Sequence, residues 1–338
     1  MKKLISLICV LAMVLALAAC GSSAPAAATE APAASTEAPS ADVSADKTFV
    51  VGICQLVQHP ALDAATQGFK DALTEALGDK VTFPEQNASG DSATCSLICN
   101  QFVSDEVDLI MANATASIQA AASATNTIPI LGTSITDYAT ALQMENWTGT
   151  SGTNISGTSD LAPLDGQAAM IQELFPDAKT IGLLYCSGEP NSIFQADSME
   201  ALLTDMGYSV ERYTFADSND VSSVTANACS NSDVLYIPTD NTAASCTEAI
   251  NNVALSAGIP IVAGEEGLAS GCGVATLSIS YYDLGRATGE MAAEILTEGA
   301  DISTMEVRFA PAFTKEYNAD ICEALNITVP DDYVAIAK

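Results

Sequence analysis

The chain repeats itself. Gly52-Ile53 opens one stretch and Gly182-Leu183 another, and each leads through a loop into a helix-like run. The first run ends Ala72-Leu73-Thr74-Glu75-Ala76-Leu77-Gly78 and the second Ala201-Leu202-Leu203-Thr204-Asp205-Met206-Gly207. Val81-Thr82-Phe83 is then answered by Tyr213-Thr214-Phe215, Asp108-Leu109-Ile110 by Asp233-Val234-Leu235, and Ile128-Pro129-Ile130 by Ile259-Pro260-Ile261. Gly52 and Pro129 are 77 positions apart; Gly182 and Pro260 are 78 apart. A spacing kept this closely predicts one folding unit built twice in a chain of 338 residues.

Inside each unit, short β-rich runs alternate with helical stretches, the mark of parallel α/β construction. Strands are expected over 49–54, 81–85, 109–112, 129–132, 180–185, 209–213, 234–237, 260–263 and 273–279. Helices are expected over 62–77, 94–104, 165–174, 192–206, 243–257 and 283–297. Apolar runs such as Ile181-Gly182-Leu183-Leu184-Tyr185 suit strands covered on both faces. The fold class is therefore α/β, two doubly wound parallel-sheet lobes joined by a hinge. Ligands of such sheets bind beyond the carboxyl ends of the strands, and two facing lobes share one cleft there.

The ends of the chain read differently. Residues 1–19 carry Lys2 and Lys3 and then an apolar run too short to span a bilayer, which is the form of a secretory signal. Leu17-Ala18-Ala19-Cys20 resembles the bacterial lipobox, in which the cysteine is acylated, so Cys20 is the expected lipidation site and the expected location is the outer face of the cell membrane. The Ala, Pro, Ser, Thr and Glu of 21–46 have no apolar periodicity and read as a linker. One lobe is expected over 47–158 plus about 279–305, the other over 159–278 plus about 306–338.

Charge removes several classes of function. Eleven Lys and Arg face 42 Asp and Glu, a net charge of −31, which repels nucleic acid. A single histidine, His59, leaves little room for histidine-based zinc or triad chemistry, and no metal or cofactor is expected. No dinucleotide glycine fingerprint, P-loop or Cys-x-x-Cys is present. Of ten cysteines, eight lie beyond Cys9 and Cys20, scattered through apolar or helical runs as small packing residues; Cys95 and Cys99 sit one helical turn apart.

The loops facing the cleft are 55–62, 113–117 and 133–137 in the first unit and 187–192, 239–242 and 264–267 in the second, with Ser159-Asp160 and 278–283 as connections. They hold hydroxyls, amides and carboxylates and no Lys or Arg. Such a lining suits a zwitterion better than a phosphate ester. Its carboxylate would meet helix N-terminal amides and the hydroxyl of Thr115 or Ser192, and its ammonium Asp160, Glu189 or Asp240. Gln55, His59, Ser134, Asp137, Ser159, Asn191, Asn241 and Glu265 complete the candidate binding set. Each Ser, Asn or Asp here has an ordinary alternative as a helix cap, Ser192 and Thr242 above all. His59 is a ligand contact or a satisfied loop residue, Trp147 a hinge or core residue, and Tyr185, Tyr281 and Tyr282 are pocket walls or packing.

Several blocks resemble the tryptophan/tyrosine-type ABC-transporter substrate-binding proteins. They are Gly52-Ile53-Cys54-Gln55 with His59-Pro60-Ala61-Leu62-Asp63-Ala64-Ala65, Asn154-Ile155-Ser156-Gly157-Thr158-Ser159-Asp160, Leu174-Phe175-Pro176-Asp177, Glu189-Pro190-Asn191-Ser192, Pro238-Thr239-Asp240-Asn241-Thr242, Gly264-Glu265-Glu266-Gly267 and Tyr281-Tyr282-Asp283-Leu284-Gly285-Arg286. The resemblance implies a type I periplasmic-binding fold that closes on ligand, a permease and an ATPase as partners, and an aromatic amino acid as cargo. Two first-unit loops depart from the family: Thr115-Ala116-Ser117-Ile118 where Thr-Pro-Ala-Ala is common, and Asp137-Tyr138 where Asp-Pro is usual.

Capture without chemistry by a monomeric lipoprotein is the expected function. One alternative keeps the fold and takes a nucleoside or sugar, although sugar sites usually include an Arg that these loops lack. An enzymatic alternative uses Cys54 and Cys186, which end equivalent strands, as acid and base of a cofactor-independent racemase.

Overall fold

The computed structural model describes residues 47–337; the secretory signal, Cys20 and the linker expected over 1–46 lie outside the described residues. Two sheets organise the rest. In the first lobe the order is Arg308–Phe309, Ile155–Ser159, Ile130–Ile135, Leu109–Asn113, Phe49–Gln55, with Val81–Thr82 and Glu85–Asn87 both pairing on the far side of Phe49–Gln55, all parallel. In the second lobe Ser209–Phe215, Thr180–Cys186, Val234–Ile237, Ile261–Ala263 and Ala275–Ser278 run parallel, and Thr314–Tyr317 adds antiparallel, followed by Val334–Ala335.

The sequence repeat is a structural repeat. Asp108 accepts from the Val50 amide at 2.8 Å, and Asp233 accepts from the Lys179 and Thr180 amides at 2.8 and 2.9 Å. Each carboxylate thus ties the start of its lobe's first strand to the neighbouring strand. The Ile110 amide donates to the Pro129 carbonyl, and the Leu235 amide to the Pro260 carbonyl, both at 2.9 Å. Alternation along each strand builds a core on both faces. Leu109 and Met111 pack to one side and Ile110 and Ala112 to the other, as do Val234 and Tyr236 against Leu235 and Ile237.

Helix Tyr281–Glu298 belongs to the first lobe, where it packs along helix Pro60–Leu77. A Cβ at Gly68 would run into the Tyr282 carbonyl and one at Gly285 into the Ala65 carbonyl, so the two backbones touch where side chains would hold them apart. Arg308 and Phe309 pair with Thr158 and Ser159, and Arg308 bonds Glu294. The first lobe therefore keeps the chain through Ser159 and again through Phe309, rather than to 158 and to about 305.

Element ends differ in instructive ways. The run 81–85 divides into two short strands that both pair with Phe49–Gln55, and 243–257 divides into Asn241–Ala244 and Thr247–Ala257. Strand Ile155–Ser159 and helices Thr115–Ala124, Tyr138–Leu142, Glu266–Gly271 and Ala319–Ala324 were not expected. Ile155–Ser159 is buried although polar, because Thr158 Oγ1 meets Thr133 Oγ1 at 3.2 Å and Thr288 Oγ1 at 2.8 Å. Beside it, Tyr138 donates to the carbonyls of Gly132 (3.0 Å) and Thr158 (3.2 Å). Gly157, at φ 141°, makes room: a Cβ there would strike both the Tyr138 hydroxyl and the Gly132 backbone. Trp147 stacks on Tyr138 with centroids 5.8 Å apart and packs on the first-lobe core.

Candidate ligand cleft

The carboxyl ends of the two sheets face one another. One cavity of about 330 Å³ is lined by Leu56, Val57 and Ala116 from the first lobe and Cys186, Glu189, Asn241 and Thr242 from the second. Another of about 330 Å³ is lined by Pro60, Ala61, Glu265, Glu266, Tyr281 and Tyr282 among others. Both volumes fall in the range of small-molecule sites. No Lys or Arg lines either cavity; Arg286 turns to the exposed surface and bonds Glu75.

His59 crosses the gap. It is the residue preceding helix Pro60–Leu77, is 7% exposed, and its Nε2 lies 3.3 Å from Asn241 Oδ1. Asn241 Nδ2 donates to Glu189 at 2.7 Å, which fixes the amide so that its oxygen faces the ring. Nε2 then carries the proton and Nδ1 presents a lone pair. Burial holds the His59 pKa below its usual value, against opposing pulls from Asn241, Glu189 and Asp63, so the ring is neutral at pH 7.

The second-lobe carboxylates are occupied by their own loops. Glu189 accepts from the amide and side chain of Asn241 and from the amide and hydroxyl of Thr242, all between 2.7 and 3.0 Å. Asp240 accepts from the Cys186 amide at 2.6 Å and, as the cap of Asn241–Ala244, from the Ala243 amide at 2.7 Å. Glu265 accepts from the amides of Gly267 and Leu268 at 2.5 and 2.6 Å. Asp240, rather than Thr242, therefore caps its helix, and Glu189, rather than Ser192, precedes helix Pro190–Asp205. Ser192 is fully buried beside Asp240, and Asn191 donates to the Thr239 carbonyl at 3.0 Å. Burial, reinforced by the charge of Glu189, pushes Asp240 up, and burial takes Glu265 up to about 7 against its two amide donors.

On the first-lobe side, Gln55 is spent on Val57, Asp63 and Thr66, bracing the turn that carries His59. Asp137 caps Tyr138–Leu142 through the Thr140 amide at 2.7 Å. Ser159 donates to the Thr136 carbonyl at 3.0 Å, and Thr115 is buried at the start of its helix. Ser134 is buried at φ 56° with no partner for its hydroxyl. Asp160 is 4% exposed; its Oδ2 accepts from the Tyr281 hydroxyl at 2.9 Å while Oδ1 has no partner. Burial pushes Asp160 up to about 6, against the hydroxyls of Tyr281 and Thr136. Glu265 and Thr239 act on Tyr281 from the second lobe, so Asp160 lies where the lobes meet. Asn113, whose Oδ1 is also unpartnered, was not singled out in the sequence; its place at the end of a central strand is the signal that marks it.

All eight described cysteines are free thiols. Cys95 draws the Cys54 thiol down, but Cys99 and burial outweigh it and take Cys54 up to about 12; burial also raises Cys186. Cys54 Sγ bonds Ser117 and Cys186 Sγ bonds the Ala216 carbonyl, so neither thiol is set up as a base. Among the described residues no group of three or more His, Cys, Asp and Glu is placed to hold a metal ion.

Residues 50–338 match the family of ABC transporter substrate binding proteins. The chain belongs to that family. A tyrosine-binding protein of Clostridioides difficile (strain R20291) is 38% identical to this substrate-binding protein over 280 residues, 82% of this chain and 81% of the relative. A Streptococcus pneumoniae ABC domain in complex with L-Trp is 31% identical, with a TM-score of 0.80 over 84% of this chain and 97% of that one. The ligand-free, open structure of a Clostridium difficile substrate binding protein with adhesive properties is 37% identical, yet its TM-score is 0.66 over 86% and 99%. The substrate-binding protein has the type I periplasmic-binding fold, and its lobes touch through the His59–Asn241 contact.

Proposed function

We propose that this protein captures an aromatic amino acid between its lobes, without chemistry, and delivers it to an ABC permease and ATPase. The carrying observation is a cleft whose walls hold hydroxyls, amides and carboxylates and no cation, which suits a zwitterion and penalises anionic ligands. Two relatives, one named for tyrosine and one complexed with tryptophan, support the aromatic class. We further propose that Cys20 is acylated after removal of 1–19 and that the protein acts as a monomer tethered at the outer face of the membrane.

A thermal-shift screen of the full-length chain tests the reading. Anything that binds only the folded state raises Tm, by mass action about 2.7 kcal/mol of stabilisation at a hundredfold excess over Kd. A rise with tryptophan, tyrosine or phenylalanine is expected. A rise with a nucleoside or sugar and none with any amino acid overturns it.

A further inference from the structure

Six buried side-chain atoms among the described residues have no hydrogen-bond partner, and four of them stand on one edge: His59 Nδ1, Asn113 Oδ1, Ser134 Oγ and Asp160 Oδ1. His59 follows strand Phe49–Gln55, Asn113 ends Leu109–Asn113, Ser134 is one residue from the end of Ile130–Ile135, and Asp160 directly follows Ile155–Ser159. These strands are four consecutive neighbours in the first sheet. Each contributes one bare polar atom at its carboxyl end. The other two, Ser232 and Thr276, lie in the second lobe, one before the amino end of Val234–Ile237 and one within Ala275–Ser278.

Proteins pair the great majority of buried polar groups, because one left bare loses the hydrogen bonds that water gave it in the unfolded chain. Four at the carboxyl end of a single sheet, with His59 among them meeting Asn241 of the other lobe, mark a surface built to be completed by something else. The opposing edge is self-sufficient, since both oxygens of Glu189, Asp240 and Glu265 are taken. Asp160 alone among these four carboxylates keeps an oxygen to spare, and a buried carboxylate calls for a charged donor.

We propose that the ligand's ammonium seats on Asp160 Oδ1, that Tyr281 orients this carboxylate through Oδ2, and that polar recognition belongs to the first-lobe edge while the second lobe serves as a cover. This rests on the reading of the protein as an amino-acid receptor. None of the four residues lines either cavity, and Asp160 is sealed where the lobes meet, so the ligand reaches it before closure. Tyr281 is a positioning residue: it begins the helix by which the chain returns from Ala275–Ser278 to the first lobe, and it touches the carboxylate just after Ile155–Ser159, where the chain leaves that lobe.

The test pairs amino acids with analogues lacking the amine, by calorimetry on the full-length protein: L-tryptophan against indole-3-propionate, and L-leucine against 4-methylpentanoate. Loss of a hydrogen bond to a charged group lowers affinity about 10- to 100-fold. Asp160→Asn is therefore expected to weaken tryptophan at least about tenfold while leaving indole-3-propionate within about threefold, so that the preference for the amine collapses. Tyr281→Phe should lower the same preference by a smaller factor, an effect that a merely structural role would spread equally over both compounds. Circular dichroism verifies that the variants fold. A preference that survives Asp160→Asn but is lost in Glu189→Gln or Glu265→Gln overturns the assignment, as does equal binding of both analogues to the wild type. If the wild type binds leucine and neither tryptophan nor tyrosine, and Asp160→Asn erases the leucine preference, the aromatic reading falls and the ammonium assignment stands.

Discussion

His59 and Asn241 meet across the cleft, Nε2 to Oδ1 at 3.3 Å, and the amide that receives the ring is itself held by Glu189. The contact joins residues 182 positions apart and belongs to the arrangement in which the lobes are together. Removing it should cost closure without unfolding either lobe. His59→Ala is expected to weaken tryptophan binding about 2- to 12-fold, the worth of one net hydrogen bond. Titration calorimetry reads the affinity, and small-angle scattering should show a larger radius for the variant at subsaturating ligand. Unchanged affinity would mean that closure does not depend on this pair.

Acidity should act on stability and on binding with opposite signs. Asp160 and Glu265 are raised to about 6 and about 7, above their ordinary values near 4. At these two carboxyls the ligand-free folded state therefore holds more protons than the unfolded chain, and their contribution to stability falls as pH rises through 6 and 7, opposed by the single lowered imidazole of His59. Tm of the ligand-free protein should be higher at pH 5 than at pH 8. Asp160→Asn and Glu265→Gln should each flatten that slope, whereas Asp301→Asn, at an exposed loop, should not. Tryptophan affinity should instead decline below pH 6, as Asp160 is protonated and loses its attraction for an ammonium.

The Tyr138 clamp carries a stability prediction. Tyr138→Phe leaves the Gly132 and Thr158 carbonyls short of a donor inside the first lobe and should cost about 1–3 kcal/mol. Gly157→Ala drives a methyl into the Gly132 backbone at φ 141° and should cost about 4 kcal/mol or more. Denaturant midpoints measure both. A Gly157→Ala protein as stable as wild type would contradict this packing.

Cys20→Ser tests the tether. Two or more acyl chains anchor durably, whereas the bare polypeptide has none, so the variant should move from the membrane to the soluble fraction. Fractionation followed by immunoblotting reads this, and retention at the membrane would show another attachment.

The duplicated architecture was legible because its signals are local and redundant: Asp108 with Asp233, and Pro129 with Pro260, hold equivalent places in both sheets. Ile155–Ser159 was missed because its stability comes from hydroxyls paired across distant segments, and Ser-Gly-Thr-Ser looks like a loop in isolation. Helix Thr115–Ala124 escaped because it starts from Ala114 at φ 86° with no side-chain cap. The site was half legible. Its loops and its lack of cations could be read, but a carboxylate in such a loop looks the same whether it faces a ligand or an amide of its own turn. Only the hydrogen bonds separate Glu189 and Glu265, turned inward, from Asp160, with an oxygen left over.

The glycines between helices Pro60–Leu77 and Tyr281–Glu298 decide where the molecule can bend. With Gly68 and Gly285 bringing backbone against backbone, the returning helix is welded to the first lobe and leaves no slack along its length. The described chain passes between the two sheets after Ser159, after Ser278 and after Phe309, so a swing of one half against the other would have to turn on these three brief crossings, like parallel pins of one door.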